Sequence, residues 1–165
     1  MPPARRPSAT AWGVAIAGTD GNLIGISQTT PASSNLLSGN RPAGVLISGS
    51  NNLVEGNRIG TDVTGTAALP NGTGVAIIYI GSDNTIGGTA PGAGNLISGN
   101  RRDGIGMYGG ASNLVEGNRV GTDASGTQAL GNGYGIELFS GSVSSTIGGT
   151  PGGRATSSPA TSRTG

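Results

Sequence analysis

The sequence predicts an all-β, right-handed parallel β-helix: a solenoid with three short strands in each coil and about 30 residues per coil. Three observations predict it. Residues 52–62, NLVEGNRIGTD, return almost unchanged at 113–123 as NLVEGNRVGTD, 61 residues later. Segments that open on Gly13, Gly44, Gly74, Gly104 and Gly135 lie 31, 30, 30 and 31 residues apart, so the 61-residue period holds two units. Within each unit apolar residues stand two apart, as in a strand, and none shows the 3.6 spacing of a helix. Glycine, 34 of 165 residues, is also too frequent for stable helices.

Taken in order, residues 1–12 are a Pro- and Arg-containing leader without periodicity, expected to be flexible, with Trp12 placed to fold over the first coil. Residues 13–149 are the repeats, roughly four and a half coils. The first strand of each coil carries the inward pairs Val14/Ile16, Val45/Ile47, Val75/Ile77, Ile105/Met107 and Ile136/Leu138. The second follows Asn22, Asn52, Asn84, Asn113 or Ser145 and points Ile24, Val54, Ile86, Val115 and Ile147 inward. The third follows Asn35, Asn57, Asn95 or Asn118 and points Leu37, Ile59, Ile97 and Val120 inward. A further Asn precedes each new coil, at 40, 71, 100 and 132. Stacking like strand on like strand at about 4.8 Å makes aliphatic columns inside. The Asn residues then stand at corners, suited to left-handed backbone and to amide bonds from coil to coil. Right-handed winding is the default for parallel crossovers. Longer connections alternate, after strand two at 27–34 and 87–94 and after strand three at 63–73 and 124–134. Leu69 and Leu130 are expected to anchor the second kind. Residues 150–165 are low in complexity and expected to be disordered.

Composition narrows function mainly by what is missing. The chain has no His and no Cys, and all nine cationic side chains are Arg, so imidazole, thiolate and lysine chemistry are excluded. Only 10% of residues are charged and the net charge is +1, which gives no nucleic-acid footprint. No apolar run is long enough to span a bilayer, and the start has no clear signal peptide. The first and last coils lack a polar cap. The chain is therefore expected to be a piece of a longer solenoid or to associate with itself through open coil ends.

Six residues are candidate ligand contacts. Asp62 and Asp123 repeat in Gly-Thr-Asp and stack two coils apart, roughly 10 Å, just beyond the carboxylate spacing of about 6.5–9.5 Å in inverting glycosidases. Their local role is a type I turn, Asp first and Gly fourth. Glu55 and Glu116 are expected to point outward beside Arg58 and Arg119, either gripping a hydroxylated or acidic sugar chain or forming surface ion pairs. Tyr79, Tyr108 and Phe139, after the first strands, suggest an aromatic strip on which sugar rings pack. No catalytic residue is assigned. No cofactor is expected; calcium would need six or more oxygens, and no dense Asp motif supplies them.

The pattern Gly-[Val/Ile]-x-[Ile/Leu]-x-Gly with Asn-x-[Ile/Val]-x-Gly-Asn resembles the right-handed parallel β-helix repeats of the pectate-lyase-like superfamily. The segments IGTD…GT.AL..NG.G and NTIGGTAPGAGNLISGN look like tandem repeats of large bacterial secreted and cell-surface proteins. The resemblance covers residues 13–149. It implies a secreted or surface location, and either a non-catalytic structural or binding module that contacts polysaccharide, or a polysaccharide-active lyase or hydrolase. The lyases resembled use a calcium carboxylate cluster with an Arg or Lys base; the hydrolases use clustered Asp with His and Lys. Neither set is visible, and Asp20, Asp62, Asp83, Asp103 and Asp123 are scattered one per loop.

Overall fold

The computed structural model describes residues 12–25 and 34–149, which form fourteen strands and no helix. The first coil holds β1 (Trp12–Ile16), β2 (Leu23–Gly25) and β3 (Leu36–Leu37). The second holds β4 (Ala43–Ile47), β5 (Leu53–Glu55) and β6 (Arg58–Ile59). The third holds β7 (Thr73–Tyr79), β8 (Thr85–Gly87) and β9 (Leu96–Ile97), and the fourth β10 (Asp103–Gly109), β11 (Leu114–Glu116) and β12 (Arg119–Val120). β13 (Tyr134–Leu138) and β14 (Thr146–Ile147) begin a further turn. Three parallel sheets result, with strand orders β1-β4-β7-β10-β13, β14-β11-β8-β5-β2 and β12-β9-β6-β3. The chain is thus a parallel β-solenoid of about four turns. Among the described residues no helix is long and apolar enough to cross a membrane.

The predicted inward columns form the core. Val45, Ile47, Val75, Ile77, Ile105 and Met107 from the first sheet are buried with Val54, Ile86 and Val115 from the second and Ile59, Ile97 and Val120 from the third. All but Val120, whose strand is the last of its sheet, are on strands paired on both sides, so truncating one such residue to Ala removes about 2–5 kcal/mol. The columns weaken at the first and last described coils. Leu37 and Ile136 are only partly buried, and Leu138 and Ile147 are exposed.

The corners are built from amide ladders. Asn22, Asn52, Asn84 and Asn113 form one, each side-chain Oδ1 accepting from the Nδ2 of the preceding coil at 2.8–3.1 Å. Ser145 ends it by accepting the Asn113 N–H. Asn35, Asn57, Asn95 and Asn118 form a second ladder, and Asn40, Asn71, Asn100 and Asn132 a third. Most rungs lie in the interior, where such bonds are strong and leaving one unmade is costly.

One expectation about these corners is corrected. The ladder Asn residues do not take left-handed backbone; in the first ladder the residue before each rung does, as Gly21, Asn51, Asp83, Ser112 and Ser144 have φ of 70°, 57°, 55°, 56° and 55°. The positive φ turns the chain, and the Asn that follows is left free to bond along the stack. Two smaller corrections follow. Trp12 is a strand residue paired with Ala43, not a lid. Leu69 is exposed, and its loop is held instead by backbone bonds from Leu69 N to Gly60 O and from Gly39 N to Leu69 O.

Candidate functional site on the first sheet

The six predicted contacts do not converge. Asp62 closes its own loop, accepting from Thr64 Oγ1 at 2.6 Å, Thr66 N at 2.9 Å and Ala67 N at 3.1 Å. Gly65 N donates to Asp62 O at 3.0 Å, which is the turn that the sequence predicts. Asp123 repeats the arrangement with Ser125, Thr127 and Gln128. Hydroxyl and amide donors hold the Asp62 carboxyl at a pKa of about 2, chiefly through Thr64, and Asp123 is lowered for the same reason, chiefly through Ser125. The two loops meet directly, Ala124 N donating to Gly65 O at 2.9 Å. They close over Leu96, which is 7% exposed although it stands on the outward row of the third sheet.

Glu55 does not face solvent as expected. It is 6% exposed, packed beside Gly25 and Gly88 of the neighbouring coils. Arg58 donates to Val63 O at 2.9 Å, and Arg119 lies across its own loop, with Nε 3.5 Å from where a Gly126 side chain would begin. Glu116 is half-buried. Repetition accounts for these residues: each is engaged within its own loop or packed against a neighbouring coil.

What breaks the repetition lies on the outer face of the first sheet, on β7, β10 and β13. Asp103 is 3% exposed; its Oδ2 accepts the Tyr108 hydroxyl proton and, at 3.5 Å, the Thr73 hydroxyl. Gly106 makes this possible. It pairs with Ala76 on one side and Glu137 on the other, and a Cβ there would lie 2.7 Å from both Cε2 and Oη of Tyr108. With no side chain in that place, the tyrosine ring folds back along β10 to reach Asp103. The ring stacks on Phe139 of the next coil, centroids 4.5 Å apart and planes at 19°. Tyr79, the third member of the expected strip, is one residue out of register: it pairs with Gly109 and is exposed.

Glu137 joins the cluster from β13. Its carboxyl is pushed above the ordinary glutamate range, first by loss of water, then by a hydrogen bond with Asp103 and by the charge there. Asp103 already accepts two hydroxyl donors. Burial, then the bond to Asp103, also raises the pKa of the Tyr108 hydroxyl. Tyr134, in register with Asp103 and 56% exposed, stands beside the pair, and Phe139 is exposed on its other side. The result is a carboxyl pair flanked by aromatic rings, able to accept and donate hydrogen bonds over an apolar platform.

Among the described residues no group of three or more His, Cys, Asp or Glu could hold a metal ion, so the acids stand as a pair rather than as a cage. Sequence reasoning grouped Tyr108 with Phe139 but missed the carboxyl pair, because Asp103 and Glu137 each occur once at their offsets. The usable signal was offset within the unit: Asp103 precedes its strand-opening glycine, Glu137 stands two after its own, and Tyr108 and Phe139 share an offset of four. No family model, curated protein or solved structure matches this chain.

Proposed function

We propose that this chain is a non-catalytic binding module of a secreted or surface protein, holding a carbohydrate on the outer face of its first sheet. The observation that supports the reading is the grouping of Tyr134, Glu137 and Phe139 along β13 over Asp103 and Tyr108. Sugars offer an apolar C–H face and a rim of hydroxyls, and exposed rings beside carboxyls complement both. The repeat motif's resemblance to the pectate-lyase-like superfamily points the same way by analogy of fold alone. A panel of immobilised polysaccharides tests it. Binding to at least one, lost in Tyr134→Ala and Phe139→Ala proteins with unchanged circular dichroism, is expected; retained binding in both variants refutes this face.

The alternative, a polysaccharide-active enzyme, is favoured by one feature: the raised pKa of Glu137 suits an acid that donates a proton to a glycosidic oxygen. Against it, Asp103 is buried and held by the Tyr108 and Thr73 hydroxyls, which leaves no second exposed carboxylate beside Glu137 to act as base or nucleophile. New reducing ends released by wild-type protein but not by Glu137→Gln would establish the enzyme. Self-association through the coil ends rests on exposed Leu138 and Ile147 in the last turn. It predicts a mass that grows with concentration in light scattering, and a constant mass would remove it.

A further inference from the structure

A second feature alternates with the coils at the corner that leads into the first sheet. Between ladder Asn and strand, the second and fourth coils carry two residues, Arg41-Pro42 and Arg101-Arg102, whereas the third carries only Gly72. Because Ala43 and Thr73 are in register, the extra residue is forced outward. Arg41, Pro42, Gly72, Arg101 and Arg102 line the cleft left between the two bulges, roughly 490 Å³ in volume, within the size range of small-ligand sites.

Its floor is rigid. Gly72 N donates to Asn40 O at 2.8 Å, Thr73 N to Pro42 O at 2.9 Å, Arg101 N to Asn71 O at 3.0 Å and Arg102 N to Gly72 O at 2.8 Å. A Cβ on Gly72 would lie 1.9 Å from Arg41 O, so no side chain can replace the gap. Three exposed guanidinium groups surround it. All eight Asp and Glu residues of the chain lie among the described residues, and none forms an ion pair with these arginines. Asp103, next to Arg102 in the chain, is turned to Tyr108 and Thr73 instead.

Three clustered cations without a counter-charge repel one another, and an anion relieves that repulsion. Guanidinium forks donate paired N–H groups, matching oxyanions bidentately. A carboxylate offers two oxygens and one charge; a tetrahedral oxyanion offers more oxygens, facing several directions at once. We propose that the cleft binds a phosphate or sulfate group. The site uses none of the sheet-face residues, so it stands apart from the carbohydrate reading.

Calorimetric titration of the full chain with inorganic phosphate and with sulfate, at low ionic strength, tests it. Saturable binding of at least one is expected, weakened about tenfold or more in each of Arg41→Gln, Arg101→Gln and Arg102→Gln. Arg58→Gln and Arg119→Gln, which remove the same charge from residues that do not line the cleft, should weaken binding less than any of the three, since they remove no hydrogen bond to the anion. Acetate should bind at least about tenfold more weakly. A second arm compares dextran sulfate with plain dextran. Tighter binding to the sulfated polymer means that the group is carried on a chain, while free-ion binding alone means a small ion; both keep the proposal. No saturable binding of phosphate, sulfate or dextran sulfate overturns it, as does an affinity that the three arginine variants leave unchanged or an equal affinity for acetate.

Discussion

Replacing Asn95 by Ala removes the centre of a buried ladder and should be among the most damaging single changes outside the aliphatic core. Its Oδ1 accepts from Asn57 N at 3.0 Å and Asn57 Nδ2 at 2.9 Å; its Nδ2 donates to Val54 O and Asn118 Oδ1, both at 2.8 Å. Not all partners suffer equally. Asn57 Nδ2 keeps Ile24 O and Glu55 O, and Asn118 Oδ1 keeps the backbone N–H of residue 95. The Asn57 N–H is left with no partner in the interior, and Val54 O loses a donor. One orphaned buried donor plus the lost bonds should together cost about 3–5 kcal/mol. Urea unfolding followed by circular dichroism measures it. A second variant checks the cause. Asn95→Asp keeps the acceptor but loses both donors and buries a carboxylate, so its folded-state pKa is raised above the unfolded value. Its penalty should be small below about pH 4 and should grow as pH rises through the raised pKa. A loss under about 1 kcal/mol for Asn95→Ala, with an unchanged denaturant slope, would refute the view that the ladders hold the coils together.

Four further outcomes can be checked on the same apparatus. Gly87→Ala places a Cβ 2.0 Å from Glu116 O at a φ of 93° and should cost more than about 3 kcal/mol, whereas Gly18→Ala, with φ 64° and open space, should cost only about 1–2 kcal/mol of backbone strain. Asp62 has its pKa lowered from 3.8 to about 2, so its contribution is present above pH 3.8 and disappears as pH falls towards 2; Asp62→Asn should flatten the stability profile there. Glu137 is raised, the opposite sign: its contribution is full below 4.5 and lost as pH rises above it, so Glu137→Gln should flatten that window instead. Thr122 Oγ1 is buried without a partner, so Thr122→Val should be neutral or stabilising by about 1 kcal/mol in urea titration, and a loss of about 2 kcal/mol would point to a bond at that hydroxyl.

What was legible in the sequence was whatever the repeat repeats. Columns such as Ile59, Ile97 and Val120, and ladders such as Asn57, Asn95 and Asn118, are periodic, and a period survives without knowledge of the third dimension. The Asp62 turn was legible because turn chemistry is local. Two kinds of information were not. The burial of Glu55 and Leu96 depends on loops from neighbouring coils, whose paths the sequence does not specify. The Asp103–Tyr108–Glu137 cluster depends on one side chain folding back over a missing one, a fact of packing at Gly106 rather than of pattern. In a repeat protein the departure from periodicity carries the specific chemistry, and a reading tuned to periodicity passes over it.

The most direct test of the central claim is an amide-resolved NMR titration of the ¹⁵N-labelled chain with the polysaccharide fragment that binds best in the panel. The account predicts saturable shifts at Tyr134, Glu137 and Phe139 and at their neighbours Asp103 and Tyr108, with the repeated Asp62 and Asp123 loops silent. Shifts confined to those loops, or no saturable shift with any fragment, would contradict it.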